Sequence, residues 1–520
     1  MRRLRRKAYD YEEKPMTMNR YIGTIPNKTL LHWQSTLLSC TTGIVLWTLF
    51  FAAFASIGFE NTSTEIVVSF LLNGFIFYCM IVISVKKRAF SLDLIHWFFL
   101  FSFMFFAPFV QYLRGEWAWG DTFSDQRILT TNFILDGWTV FYLTTKILFS
   151  YVTVQKNAGR LFTKKEDRPI NICVHKTFLV FCVAISVCFS FYLLLKYGKD
   201  LFSRGTNTAY EFSNSTLTLL VSLTVPAFIT GVTAMAIYNV KPRGTFFDWL
   251  LLAAQCFALL ISCFPLGLSR FLVAVIYIGL ALTAGNFFRK RHWFLCMMIF
   301  GLIIIFPVLN AFRRVAIDDV NILTTLKEVV TSILDDLTEG HYDAYMMFML
   351  VQEYVAESGV AYGMQLVGVL LFWIPRAIWP GKPFGSGQTA AEFFNKEFTN
   401  LSCPLPAEGY INFGIGGTLL FAMVLAVLIH EADNRFWEGK GRLIKVLYPF
   451  IIPFLFFVMR GDLLSSFSYL TGFSITVAAL FTVNAMLITD GKEKRQKSLK
   501  KDKTPSDGAK IKNKKKQEEL

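Results

Sequence analysis

Between Phe372 and Gly417 the chain reads FWIPRAIWPGKPFGSGQTAAEFFNKEFTNLSCPLPAEGYINFGIGG, so that Arg376, Lys382, Glu408 and Tyr410 stand among Pro, Gly and Trp. This mixture suits a site. Arg can hold phosphate or pyrophosphate through paired charge-assisted hydrogen bonds, a carboxylate can take a proton from an attacking hydroxyl, and Pro and Gly fix the backbone between them. More groups of the same kind are scattered along the chain: Arg204, Arg270, Arg313, Arg314 and Arg460 as anion holders, and His341, Asp343 and Asp462 as rivals to Glu408 for the base. Each has a plainer reading. An Arg at a helix end can snorkel, and a carboxylate entering a helix can simply oppose the macrodipole.

The elements that must position these groups are membrane spans. With 54% hydrophobic and only 17% charged residues, the chain has too little polar surface to cover a soluble domain of 520 residues. Apolar runs near 35–58, 64–85, 91–113, 129–153, 177–195, 216–238, 248–264, 271–287, 294–312, 413–430, 446–459 and 463–488 give roughly twelve spans at about 20 residues each. The expected fold is therefore an all-α polytopic integral membrane protein. Its regions are a basic N-terminal segment (1–34), nine spans (35–312), one large outer loop (313–412), three spans (413–488) and a Lys-rich tail (489–520).

Charge orients the spans. Arg2, Arg3, Arg5, Arg6 and Lys7 precede the first span, every second loop is basic, and Lys514, Lys515 and Lys516 lie in the tail, so the positive-inside rule puts both termini in the cytoplasm. The net charge of +15 is divided among those loops without the aromatic interleaving that stacks bases, which argues against nucleic acid. The tail is expected to be disordered and able to touch anionic lipid. The polar lead before the first run is too long for a cleavable signal. Most of the nine Cys fall in presumed spans as apolar packers, and Cys403 in the outer region has no disulfide partner there.

This topology places Phe312 to Phe413 outside. Within it Ile322, Leu326, Val329, Val330, Ile333 and Leu337 recur at helical spacing up to Gly340, and a second helix carrying His341, Asp343, Tyr345, Glu353 and Glu357 follows. Both are expected as amphipathic lids on the membrane surface. Val360 to Ile378 is apolar enough to span, yet a thirteenth span would export the basic tail, so it reads as a re-entrant or interfacial element.

Outer arginines run against the positive-inside bias, and Arg270, at the head of an apolar run, is costly without an anion or a watered cavity. Several of them converging would suit a lipid pyrophosphate, whose charge grows as a glycosyl bond breaks. The Trp-Ile-Pro-Arg, Trp-Pro-x-Lys-Pro and Pro-x-x-Glu-Gly-Tyr-x-Asn-Phe-Gly runs resemble the oligosaccharide repeat-unit (O-antigen, Wzy-type) polymerases. That resemblance implies a GT-C-like glycosyltransferase of the bacterial cytoplasmic membrane. Its substrates would be undecaprenyl-pyrophosphate-linked oligosaccharides, and a chain-length regulator and a flippase would be its partners. The positions matched are Arg204, Arg270 and Arg376, together with Glu408 and Tyr410.

No cofactor is expected: P-loop, Rossmann and GxSxG patterns are missing from fitting contexts, and His341 is the single His placed outside. A carboxylate Mg site at Asp318-Asp319 or Asp335-Asp336 competes with a solvated helix face. Two other classes stay open. A flippase for the same lipid-linked sugars would be similarly basic inside, though no internal repeat is found. An O-antigen ligase-type transferase would share the bundle and the large loop.

Overall fold

The computed structural model describes residues 62–157, 174–202, 224–239, 245–284, 293–309 and 333–501, all within one compact unit. The expected span at 35–58, the sites Arg204, Arg313 and Arg314, the Asp318-Asp319 pair and most of the 322–337 helix lie outside the described residues.

The regular structure among the described residues is all helix, with no strand among them. In chain order we label α1 (Thr64–Lys87), α2 (Leu92–Arg114), α3 (Asp125–Asn157), α4 (Lys176–Tyr197), α5 (Val225–Asn239), α6 (Phe246–Ser262), α7 (Arg270–Ala284) and α8 (Trp293–Leu309). These are followed by α9 (Ala344–Ser358), α10 (Met364–Leu370), α11 (Ser386–Phe393), α12 (Leu405–Trp437), α13 (Arg442–Arg460) and α14 (Leu463–Lys501). Six are long and apolar enough to cross a membrane: α1, α2, α4, α12, α13 and the Leu463–Thr489 part of α14. Their outward faces are apolar as well. Leu195 is 87% exposed, and Phe181, Leu428 and Ile475 are exposed too, which in water would be a large unfavourable surface and in lipid is the expected one. The chain is a helical membrane protein.

Local sequence accounts for the irregularities. Single π-turns at Ser102–Phe106 and Gly301–Ile305 each run up to a proline, Pro108 or Pro307, whose missing N–H breaks the regular ladder. The sharpest break is in α12, at Phe413 and Gly414 (φ +64°). Thr418 Oγ1 donates to the Pro406 carbonyl at 3.0 Å, although a straight helix would separate those residues by about 18 Å. Leu405–Asn412 therefore folds back against the first turns of the span that follows. Gly409 and Gly417 permit it, since a Cβ on Gly417 would stand 2.0 Å from the Gly409 carbonyl oxygen.

Of two expectations for the polar insertion, the absence of a thirteenth span agrees with the structure and the lid after His341 does not. Seven-residue α10 is about 10 Å long, too short for a thirteenth span, and turns follow it to Lys382. The helix after His341 is no surface lid, because every residue from Ala344 to Gln352 is buried. The run AYMMFMLV is apolar on all sides, and α9 is accordingly inserted against α3, α11 and α12.

Candidate active site

The fold-back of α12, the α13–α14 corner and the turn ahead of α9 bring two groups of charged side chains together. The first centres on Asp343, 2% exposed. Its carboxylate accepts Ser402 Oγ at 2.6 Å, Trp119 Nε1 at 3.2 Å and an Arg460 terminal nitrogen at 3.1 Å. Arg460 also donates through Nε to the His341 carbonyl (3.1 Å) and through Nη2 to the Gly340 carbonyl (3.4 Å). It thus pins the one-turn 3-10 segment Gly340–Tyr342, and Gly340 is required there because a Cβ would meet Trp119 at 2.2 Å. The pinned His341 ring receives Arg270 Nη2 at 2.7 Å from Nε2, and the same guanidinium lies 4.5 Å from the Phe306 ring centroid. Arg270 and Arg460 both flank Tyr342, whose hydroxyl burial holds above its ordinary pKa.

The second group centres on Glu408, 1% exposed in the folded-back segment. Ser386 Oγ donates to Oε2 at 2.6 Å and the Leu463 backbone N–H to Oε1 at 2.8 Å. Asp462 stands beside it. It accepts the Ser465 N–H at 3.1 Å and so caps α14, and it faces the amides of Ser386 and Gly387 at the head of α11. Gly385 makes room for it: a Cβ there would lie 2.0 Å from an Asp462 oxygen. Burial pushes the Asp462 carboxyl above the usual range. Neighbouring residues join the groups, with Ser402 on Asp343 and Cys403 on Glu408, and with Arg460 and Asp462 two residues apart. Burial, followed by the nearby Glu408 and Asp462, holds the Cys403 thiol well above its usual pKa.

Of the sequence candidates, Arg270, His341, Asp343, Glu408, Arg460 and Asp462 are therefore gathered at one end of the bundle. Arg376 and Lys382 are not part of this contact network. Arg376 donates to the carbonyls of Lys382 and Pro383 (3.1 Å for the latter) and stacks 3.9 Å from the Phe384 ring. Lys382 Nζ donates to the carbonyls of Phe372 (2.6 Å) and Ile374 (3.2 Å). Tyr410 packs edge-on against Phe348. Asp335 pairs with Arg114 at 2.8 Å. Sequence reasoning missed Ser386, Ser402, Cys403 and Trp119; Gly385-Ser386-Gly387 was a weak signal for close approach to a buried carboxylate.

Chemically, the arrangement offers a buried carboxylate pair with hydroxyl and amide donors, next to two arginines held by a His-bearing turn. No protein-family model, curated protein or solved structure matches this chain.

Proposed function

We propose that the protein is a membrane glycosyltransferase that polymerises undecaprenyl-pyrophosphate-linked oligosaccharide repeat units into surface polysaccharide. The observation carrying this reading is the convergence of Arg270, Arg460 and His341 with Glu408 and Asp462 at one end of a lipid-facing bundle. In it Glu408 takes the proton of the acceptor hydroxyl, and Arg270 and Arg460 bear the charge growing on the departing pyrophosphate. Asp462 shares the buried site with Glu408 and is held by the first turn of α14. Arg376 and Lys382 shape the loop leading to Ser386. About twelve spans, a GT-C-like layout, cytoplasmic termini and a bacterial cytoplasmic membrane belong to the same proposal, with the Glu408 end facing outward.

Bond energy then comes from the lipid pyrophosphate. Purified protein in vesicles, given lipid-linked repeat units, is expected to lengthen them without nucleotide and in the presence of a chelator. A mixture that stays at one repeat unit refutes the polymerase. Movement of the units across the bilayer without lengthening would instead support the flippase.

A further inference from the structure

The segment Val360–Phe384 raises a separate question, because its exposed side chains are the wrong kind for water. On α10, Met364, Val367 and Leu370 share the outward face while Gln365, Gly368 and Val369 are buried. Beyond it, Trp373 is 67% exposed and Ile378 76%.

Three observations say what covers this face. The first is depth. Ala361 N–H donates to the Ile411 carbonyl (2.8 Å), Gly363 lies against Phe413, and Phe372 meets Phe467 edge-on at 6.1 Å. Phe467 lies in the second turn of the span Leu463–Thr489, so the segment runs beside membrane-crossing helix. The second is continuity: the segment packs on α12 at Ile411–Phe413, the head of the span whose exposed residues include Ile415, Leu420, Val424 and Leu428. The third is the backbone. Non-helical chain at membrane depth must satisfy its carbonyls from within the protein. Here Lys382 and Arg376 supply four carbonyls of their own loop, those of Phe372, Ile374, Lys382 and Pro383. In water that service would be redundant.

We propose that residues 362–378 form a half-helix hairpin immersed in one leaflet, with the face Met364, Val367, Leu370, Trp373 and Ile378 in contact with lipid acyl chains. The chain that leaves the hairpin reaches Gly385 and Ser386, against Asp462 and Glu408, and so ties it to the carboxylate pair. Immersion does not depend on the reaction proposed above and can stand if that reading fails.

The test uses full-length protein in vesicles of phosphatidylcholine bearing a photoreactive diazirine in its acyl chain. After irradiation, label mapped by mass spectrometry is expected on 364–378 to the same extent as on 415–428, with none on 395–400. Trp373 is also expected to resist oxidation by hydroxyl radicals generated in the aqueous phase. Label on 415–428 without label on 364–378, or ready oxidation of Trp373, would overturn the proposal.

Discussion

The bundle carries buried charge at two levels, and the two are built differently. At the α1–α2 corner, Asp93 meets Lys146, Ser84 Oγ (2.6 Å) and Tyr142 OH (2.9 Å). Beside it Asp433 meets Arg88 (3.2 Å), the Leu92 N–H (3.0 Å) and Tyr448 OH. Each carboxylate there is matched by a cation. At the other level, about 18 Å along α13 from Tyr448 to Arg460 at 1.5 Å per residue, Asp343 has Arg460, while Glu408 and Asp462 are held by hydroxyl and amide donors. A matched pair is a fastening between helices. A carboxylate held by neutral donors keeps its capacity to exchange a proton, and that is the feature a reaction needs.

The comparison breaks most visibly through stability. Asp93→Ala strands the half-buried Lys146 without its partner and should cost about 3–5 kcal/mol in denaturant titrations of the detergent-solubilised protein, with Asp93→Ala/Lys146→Met recovering most of it. A folded but inactive Asp93→Ala protein would mean that the fastening is catalytic. At the opposite level, Arg460→Lys exchanges a fork spanning two carbonyls and Asp343 for a point donor. Turnover per folded molecule should fall about ten- to hundredfold, the equivalent of about 1.5–3 kcal/mol.

Smaller effects sharpen the contrast. Arg376→Lys should lower thermal stability by about 0.5–1.5 kcal/mol and leave turnover within a few-fold, because that guanidinium serves loop carbonyls. A loss as large as that from Arg460→Lys would return Arg376 to the anion site. Asp462→Asn should act through pH. Burial raises the folded pKa of Asp462, so its unfavourable contribution is absent below the unfolded value and develops as pH rises towards the folded one. Asn can still cap α14, so the variant should gain stability at pH 7 relative to wild type and lose that gain towards pH 4. An equal difference at both pH values would show that its surroundings do not raise the Asp462 pKa.

Much of this was legible from composition and spacing. Apolar runs located the helices, and Glu408, Arg270, Arg460 and the His341–Asp343 pair stood out because charge is costly in such surroundings. What stayed hidden were relations between segments. A fold-back at Gly414 and a close helix contact at Gly417 leave the same trace, small residues at the head of a span. Ser386, Ser402 and Cys403 are small polar residues in a Pro- and Gly-rich stretch without periodicity, so nothing local announced that they touch Asp343 and Glu408. Arg376 is ambiguous from sequence for a physical reason: an anion and a ring of backbone carbonyls ask for the same guanidinium. The all-round apolar character of Ala344–Val351 did signal a buried helix, but flanking His341, Asp343 and Glu353 resembled a polar face.

Glu408→Gln tests the proposed chemistry most directly, because it preserves size and can still accept the Leu463 N–H through its carbonyl oxygen, with the Ser386 hydroxyl turned to accept from the amide, while removing basicity. At equal levels of folded protein, the variant should leave lipid-linked repeat units unextended, with turnover reduced by at least about a hundredfold. Repeat-unit chains of wild-type length from Glu408→Gln would contradict the assignment and move the reacting centre away from this carboxylate.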